Sequence, residues 1–365
     1  MKIWYKNLPY AADGSLLAYI RVGQLLFNER VEIVKEQGEE VLVQCPHWVT
    51  SGKLVGAKRL AFWGRKECFC SVEEYAGDSI PCMVRADDDH WLQDDSWLVL
   101  REPFFESVTH RTYSAGTRFV RKPEQDTKTD YAVKIANHDV EKSFTVFVPR
   151  SITYSYNPTH SSAERRDVFC STVRAWANRY GKQVVPYAWG GSAFLKEVDE
   201  RPFYTMKQEV NASQLTSVCS WKSCTGTVWL RPGSTSVESG GFDCSGLIMR
   251  AAQMAGIPYF YKTTTALYDF GIPVIAPEEI EKGDLIVCKG HVMVITNVEN
   301  NQIAESAGYG NGYGRVREGL LRERIEGVST LKELCKKIKQ GKTLSFIDRN
   351  KKTGKKFAFK VVKLL

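Results

Sequence analysis

The stretch Ser239-Gly240-Gly241-Phe242-Asp243-Cys244-Ser245-Gly246-Leu247 decides how this 365-residue chain is read. A glycine pair runs into Asp-Cys-Ser, and apolar residues at helical spacing follow. Cys244, Leu247, Ile248 and Ala251 stand at i, i+3, i+4 and i+7, on one helix face. Asp243 is a natural N-cap for that helix, which puts Cys244 in the first turn. Unpaired N–H groups and the positive dipole end favour an anion there. The same setting lowers a thiol from its free pKa of about 8.5. Cys244 is therefore a candidate nucleophile. The plainer alternative is a small buried core residue.

A thiol nucleophile needs a base. Of the six histidines only His291 follows Cys244, in Lys282-Gly283-Asp284-Leu285-Ile286-Val287-Cys288-Lys289-Gly290-His291-Val292-Met293-Val294-Ile295. This pattern predicts two short strands joined at Lys289-Gly290, with His291, Met293 and Ile295 on one face.

Together these residues resemble the NlpC/P60 cysteine peptidases: Asp-Cys-Ser-Gly-Leu on a helix, then Gly-Asp-Leu and Gly-His-Val on strands about 45 residues later. A third segment, Pro186-Tyr187-Ala188-Trp189-Gly190-Gly191, is similar to the family's Pro-Tyr-x-Trp-Gly-Gly. The resemblance implies an α+β, papain-like catalytic domain over 161–330, with Cys244 as nucleophile and His291 as acid–base. It places the third catalytic residue on the next strand, where Glu305 falls and where Gln302 and Asn301 are fallbacks. It also implies that Tyr187 helps to hold the oxyanion and that Trp189 lines the cleft. Asp243 and Ser245 match positions that in relatives grip a peptide's free amino end, a role that competes for Asp243 with helix capping. The implied substrate is a murein peptide cut between D-γ-glutamate and a diamino acid, with no cofactor and no metal. An acyltransferase or amidase using the same Cys/His pair, or a non-catalytic binder of wall fragments, are the other readings.

Elsewhere the chain is ordinary globular material, 43% hydrophobic and 25% charged. No apolar stretch is long enough to span a bilayer. The first residues, Met1-Lys2-Ile3-Trp4-Tyr5-Lys6-Asn7, lack the apolar core of a signal peptide, so a cytoplasmic location is expected. Ten cysteines are too sparse for a disulfide scaffold. Cys68, Cys70, Cys219 and Cys224 lack paired zinc-knuckle spacing. Asp87-Asp88-Asp89-His90 reads as a solvated loop.

Alternating Val31, Ile33, Val41 and Val43 around Gln37-Gly38 predict a hairpin. They resemble bacterial SH3-type (SH3b) modules, one expected over 1–80 and a second over 81–160. Strands of the second are expected at Trp97–Arg101, Arg118–Arg121 and Phe144–Val148. Ser161 to Glu164 forms a capping box that opens a helix with Val168, Val173, Trp176 and Ala177 inward. Residues 192–238 form an insertion that either shapes the cleft or decorates the domain. From 331 to 365, twelve Lys/Arg stand against Glu333 and Asp348, a surplus of ten that leaves the first 330 residues at −2. This segment reads as a basic C-terminal extension, an amphipathic helix and one hairpin from Leu344 to Val362. Its aromatics pack, and no nucleic acid or membrane partner is expected. Nothing in the sequence sets an oligomeric state.

Overall fold

The computed structural model of the protein describes residues 25–26, 29–52, 58–66, 69, 97–108, 110–137, 142–155, 159–179, 183–188, 190–195, 198–199, 206–211, 225–230, 240–259, 261–308 and 311–364. Trp189, the Asp87–His90 cluster and the cysteines at 68, 70, 219 and 224 lie outside them.

The first three strands, β1 (Glu32–Gln37), β2 (Glu40–Ser51) and β3 (Lys58–Arg65), form one antiparallel sheet. Gly38 makes the β1–β2 turn at φ +60°, a conformation open to glycine without a Cβ clash. Val41, Val43 and Cys45 alternate into the core. β1 is exposed along its whole length, so Ile33, expected inside, stays at the surface. As an edge strand it hydrogen-bonds to β2 only.

Next come β4 (Trp97–Leu100), β5 (Phe104–Glu106), β6 (Arg111–Tyr113), β7 (Arg118–Arg121), β8 (Asp130–Asn137), β9 (Lys142–Pro149) and β10 (Thr153–Ser155). Five of them form a sheet in the order β10-β4-β7-β8-β9, around Leu98, Leu100, Phe119, Val133, Ile135 and Val148; β5 and β6 pair apart. The three strands expected here fall at β4, β7 and β9. Neither N-terminal sheet closes into a barrel among the described residues, so the expected SH3-type closure is not seen.

Helix α1 (Ser162–Ala177) starts on the expected capping box: Ser161 accepts from the Glu164 N–H, and Glu164 accepts from the Ser161 N–H. Val173 and Trp176 are buried, and Trp176 stacks on Phe242 at 4.8 Å between ring centres. The region between α1 and the cysteine holds short pairings. β11 (Gln183–Val184) meets β13 (Val198–Asp199), β12 (Ser192–Ala193) meets β16 (Gly241–Phe242), and β14 (Met206–Asn211) with β15 (Thr225–Leu230) makes a hairpin. Then follow α2 (Cys244–Met254) and α3 (Thr264–Phe270).

The C-terminal half is built on an antiparallel sheet of β17 (Leu285–Cys288), β18 (His291–Asn297), β19 (Gln302–Ala307), β20 (Arg315–Leu320) and β23 (Lys360–Val362), in the order β20-β19-β18-β17-β23. Period-two alternation divides its residues between two cores. Val292, Val294 and Ala304 pack with Leu247, Ile248 and Ala251 of α2. Met293, Ile295 and Ile303 pack on the opposite face. There they meet Leu331 and Leu334 of α4 (Leu331–Lys339) and Phe346 of β21 (Leu344–Ile347), which pairs with β22 (Thr353–Phe357). α4 buries Leu331, Leu334 and Cys335 and leaves Lys332, Lys336 and Lys339 exposed.

The single hairpin expected from Leu344 to Val362 is corrected here. β22 ends at Phe357, and β23 leaves the hairpin to pair with β17, adding the sheet's last strand. Hydrogen bonding explains the switch, because β17 would otherwise be an unpaired edge. Asp284, the Asp of Gly-Asp-Leu, fastens this closure. Fully buried, it accepts from Arg166 of α1 at 2.9 Å and from Lys363 at 3.1 Å.

The N-terminal strands are tied to the C-terminal half by charge. Arg250 of α2, 1% exposed, is paired with both carboxylate oxygens of Glu29, donates to the Ser192 carbonyl at 2.7 Å, and lies over the Trp48 ring. Breaking one side of such a pair strands a buried charge. Arg250→Met is therefore expected to cost about 3–5 kcal/mol in urea unfolding, and the Glu29→Gln/Arg250→Met double variant to recover most of it. No helix among the described residues is long and apolar enough to cross a membrane.

Candidate active site

Cys244 sits where α2 begins. Asp243 is the N-cap, and its Oδ1 accepts from the Gly246 N–H at 2.5 Å and from the Ser245 hydroxyl at 2.9 Å. The glycines are sterically required. A Cβ on Gly246 would overlap the carbonyl oxygen of Gly191, which itself accepts from the Asp243 N–H at 2.9 Å. Tyr187, Ala188 and Gly191 are thus held against the start of α2. Tyr187 forms a parallel bridge with Phe242, two residues before the cysteine, and its ring faces Gly308.

The sulfur lies within hydrogen-bond reach of the backbone N–H of Val292, the residue after His291. His291 opens β18, with its side chain 12% exposed, and its Nε2 stands 2.6 Å from Glu305 Oε2. Glu305 is completely buried on β19, on the same sheet face as His291. Gln302 and Asn301, the fallbacks, lie at the β18–β19 turn, away from this contact. The Phe346 ring meets the imidazole edge-to-face at 5.4 Å.

Two residues that sequence reasoning missed complete this cluster. Arg317, the cross-strand partner of Glu305 on β20, donates to Oε1 at 2.7 Å, and Arg324 Nε donates to Oε2 at 3.0 Å. Arg324 is fully buried and also donates to the Ile347 carbonyl. Burial would raise the Glu305 carboxyl, but Arg324, His291 and Arg317 outweigh it and hold it well below the usual carboxylate range. A fixed carboxylate thus faces the imidazole. Register alone would have flagged Arg317 once β19 and β20 were paired, whereas Arg324 follows a 3-10 turn and carries no sequence pattern.

The thiol departs from expectation. Its lowered pKa was expected from the helix terminus, yet burial, and then the charge of Asp243, push it up to about 12 against the Val292 and Ser245 N–H groups and Lys262. Desolvation at the packed α2–β18 junction outweighs the dipole. Alkylation of Cys244 by iodoacetamide, followed by peptide mass spectrometry, is therefore expected to rise about tenfold per pH unit from 7 to 9. A plateau below pH 8 would reveal an anionic resting sulfur instead.

Asp243 takes the expected capping role and is also paired with a cation. Its Oδ2 accepts from Lys262 Nζ at 2.9 Å, and the lysine side chain is 2% exposed. The Ser245 hydroxyl donates to Asp243, and the protein's own ammonium stands against the same carboxylate. Among the described residues no His/Cys/Asp/Glu group has the arrangement of a metal site.

No curated protein matches the chain. Among solved structures it is similar to an NlpC/P60 family protein from Bacillus cereus ATCC 10987, at 15% identity over 80% of each chain with a TM-score of 0.47. It is similar to the peptidoglycan hydrolase RipB from Mycobacterium tuberculosis at 23% identity, over 45% of this chain and 63% of that one, with a TM-score of 0.24. It is also similar to NlpC2 from Trichomonas vaginalis at 13% identity, over 79% of each chain, with a TM-score of 0.28. The family model for NlpC/P60 matches residues 226–329, so the segment that carries Cys244, His291 and Glu305 is an NlpC/P60 family domain.

Proposed function

We propose that this chain is a cysteine peptidase that hydrolyses bacterial cell-wall peptides, at the bond between D-γ-glutamate and a diamino acid. The observation that carries the reading is the buried His291–Glu305 contact at 2.6 Å, at the start of the strand whose next residue touches the Cys244 sulfur. Glu305 occupies Nε2 and leaves Nδ1 as the nitrogen for the thiol. With the thiol pushed up to about 12, its proton moves during attack rather than before it. Cys244 Sγ adds to the peptide carbonyl carbon as His291 takes the thiol proton. His291 then hands that proton to the departing amine, leaving a thioester. Water, deprotonated by His291, attacks the thioester, and the proton returns to the sulfur as the acid leaves.

Glu305 holds the imidazole in place and stabilises its charged form. The Cys244 N–H and the Tyr187 hydroxyl serve as oxyanion donors. The two N-terminal sheets are the SH3-type modules of this architecture, and the protein acts in the cytoplasm.

Release of diaminopimelate from L-Ala-γ-D-Glu-diaminopimelate, supplied free and N-acetylated and followed by chromatography, tests the proposal. Release from at least one form is expected. No release from either would overturn it.

A further inference from the structure

Asp243 has little left to offer a ligand. One carboxylate oxygen takes the Gly246 N–H and the Ser245 hydroxyl, and the other takes Lys262 Nζ. A second ammonium placed there would meet Lys262 at like charge in a poorly hydrated setting, where charge interactions are strong. The lysine is not loosely placed. Its backbone N–H donates to the Val49 carbonyl at 2.9 Å, Tyr261 bridges Val49 in parallel, and the Thr263 hydroxyl donates to the Thr50 carbonyl at 3.0 Å. β2 of the N-terminal sheet thus sets the position of Lys262 beside the nucleophile.

A second observation comes from Tyr259. It is 4% exposed and packs in the core that Cys244 adjoins, yet among the described residues its hydroxyl has no hydrogen-bond partner. Its hydroxyl lies within electrostatic reach of Cys244 and Asp243. A buried hydroxyl without a partner is costly, so such a group commonly marks where a ligand atom belongs. The side-chain donors around Asp243 and Cys244 thus include an ammonium and a phenol, and the group that suits both is a hydrogen-bond acceptor.

We infer that Lys262, set by the N-terminal sheet, is a specificity-determining residue: it fills the cation position on Asp243, so the cleft takes peptides whose amino end is acylated in preference to free-amine peptides. An acyl carbonyl supplies the acceptor that the Tyr259 hydroxyl lacks and a further one for the Lys262 ammonium beside Asp243, and it brings no positive charge. This rests on the proposed peptidase function.

Isothermal titration of the catalytically silent Cys244→Ala protein with L-Ala-γ-D-Glu-diaminopimelate and its N-acetyl form tests it. The acetylated peptide is expected to bind at least about tenfold tighter. Lys262→Met in the same background should move that ratio at least about tenfold toward the free amine, and Lys262→Arg should preserve it. Tyr259→Phe should weaken the acetylated peptide alone. Equal or reversed preference in the Cys244→Ala protein overturns the inference whether or not the lysine variants fold, as does an unchanged ratio in folded Lys262→Met. If the wild type still turns over stem peptides in those cases, the peptidase reading survives. Failure of both peptides to bind and to be cleaved overturns that reading and the inference together.

Discussion

Replacing Cys244 by alanine is expected to lower kcat/KM for the acetylated tripeptide by about 10^4-fold or more, with thermal unfolding shifted by no more than about 1 kcal/mol. The size follows from the chemistry. Without sulfur there is no thioester, and only binding and oxyanion stabilisation remain. The small stability effect follows from the local structure. The cap that starts α2 runs from Asp243 to the Gly246 N–H and does not use the cysteine side chain. The bonds from Ser245 and Lys262 to Asp243 are also untouched. Circular dichroism of both proteins, beside the chromatographic assay, separates lost chemistry from lost fold. Equal rates in the two proteins would remove Cys244 from the mechanism.

The parts of this site that were legible in the sequence are those whose geometry is local. Asp243 followed by glycine three residues on fixes a helix cap, and alternation fixes which face His291 shares with Met293 and Ile295. Glu305 was legible through the resemblance, which places the partner of His291 on the strand that follows it, and that strand is Gln302–Ala307. Lys262, Arg324 and Tyr259 were not legible. Their positions depend on long-range pairings, of Lys262 with Val49 and of Arg324 with Ile347, that no local spacing encodes. The thiol was misjudged for the same reason. A helix terminus is visible in sequence, whereas the packing of β18 against it is tertiary. The C-terminal segment shows the limit from the fold side. Its composition suggests a solvated basic appendage, but the apolar residues between the lysines close one core and supply the last strand of the sheet.

Glu305→Gln is expected to lower both activity and stability. Glutamine nearly preserves shape but removes the charge, leaving the fully buried Arg324 without a counter-ion and the 8%-exposed Arg317 with Glu323 alone, at 3.8 Å. Stranding such charges costs about 3–5 kcal/mol, read from urea unfolding. Loss of the group that orients the base is worth on the order of 10^4-fold in kcat. The two effects can be separated, because a Glu305→Leu/Arg324→Met variant removes the carboxylate together with one stranded arginine. It should regain much of the stability and none of the rate; recovery of the rate would reduce Glu305 to a structural ion-pair member. The pH dependence of stability supplies an independent check. The folded pKa of Glu305 lies well below 4.5, its ordinary value. Its contribution is therefore fully present above about pH 4.5 and is lost as pH falls through the folded value. Wild-type stability should fall steeply on acidification through that window, and the Glu305→Gln protein, with no carboxyl there to titrate, should show a shallower acid limb.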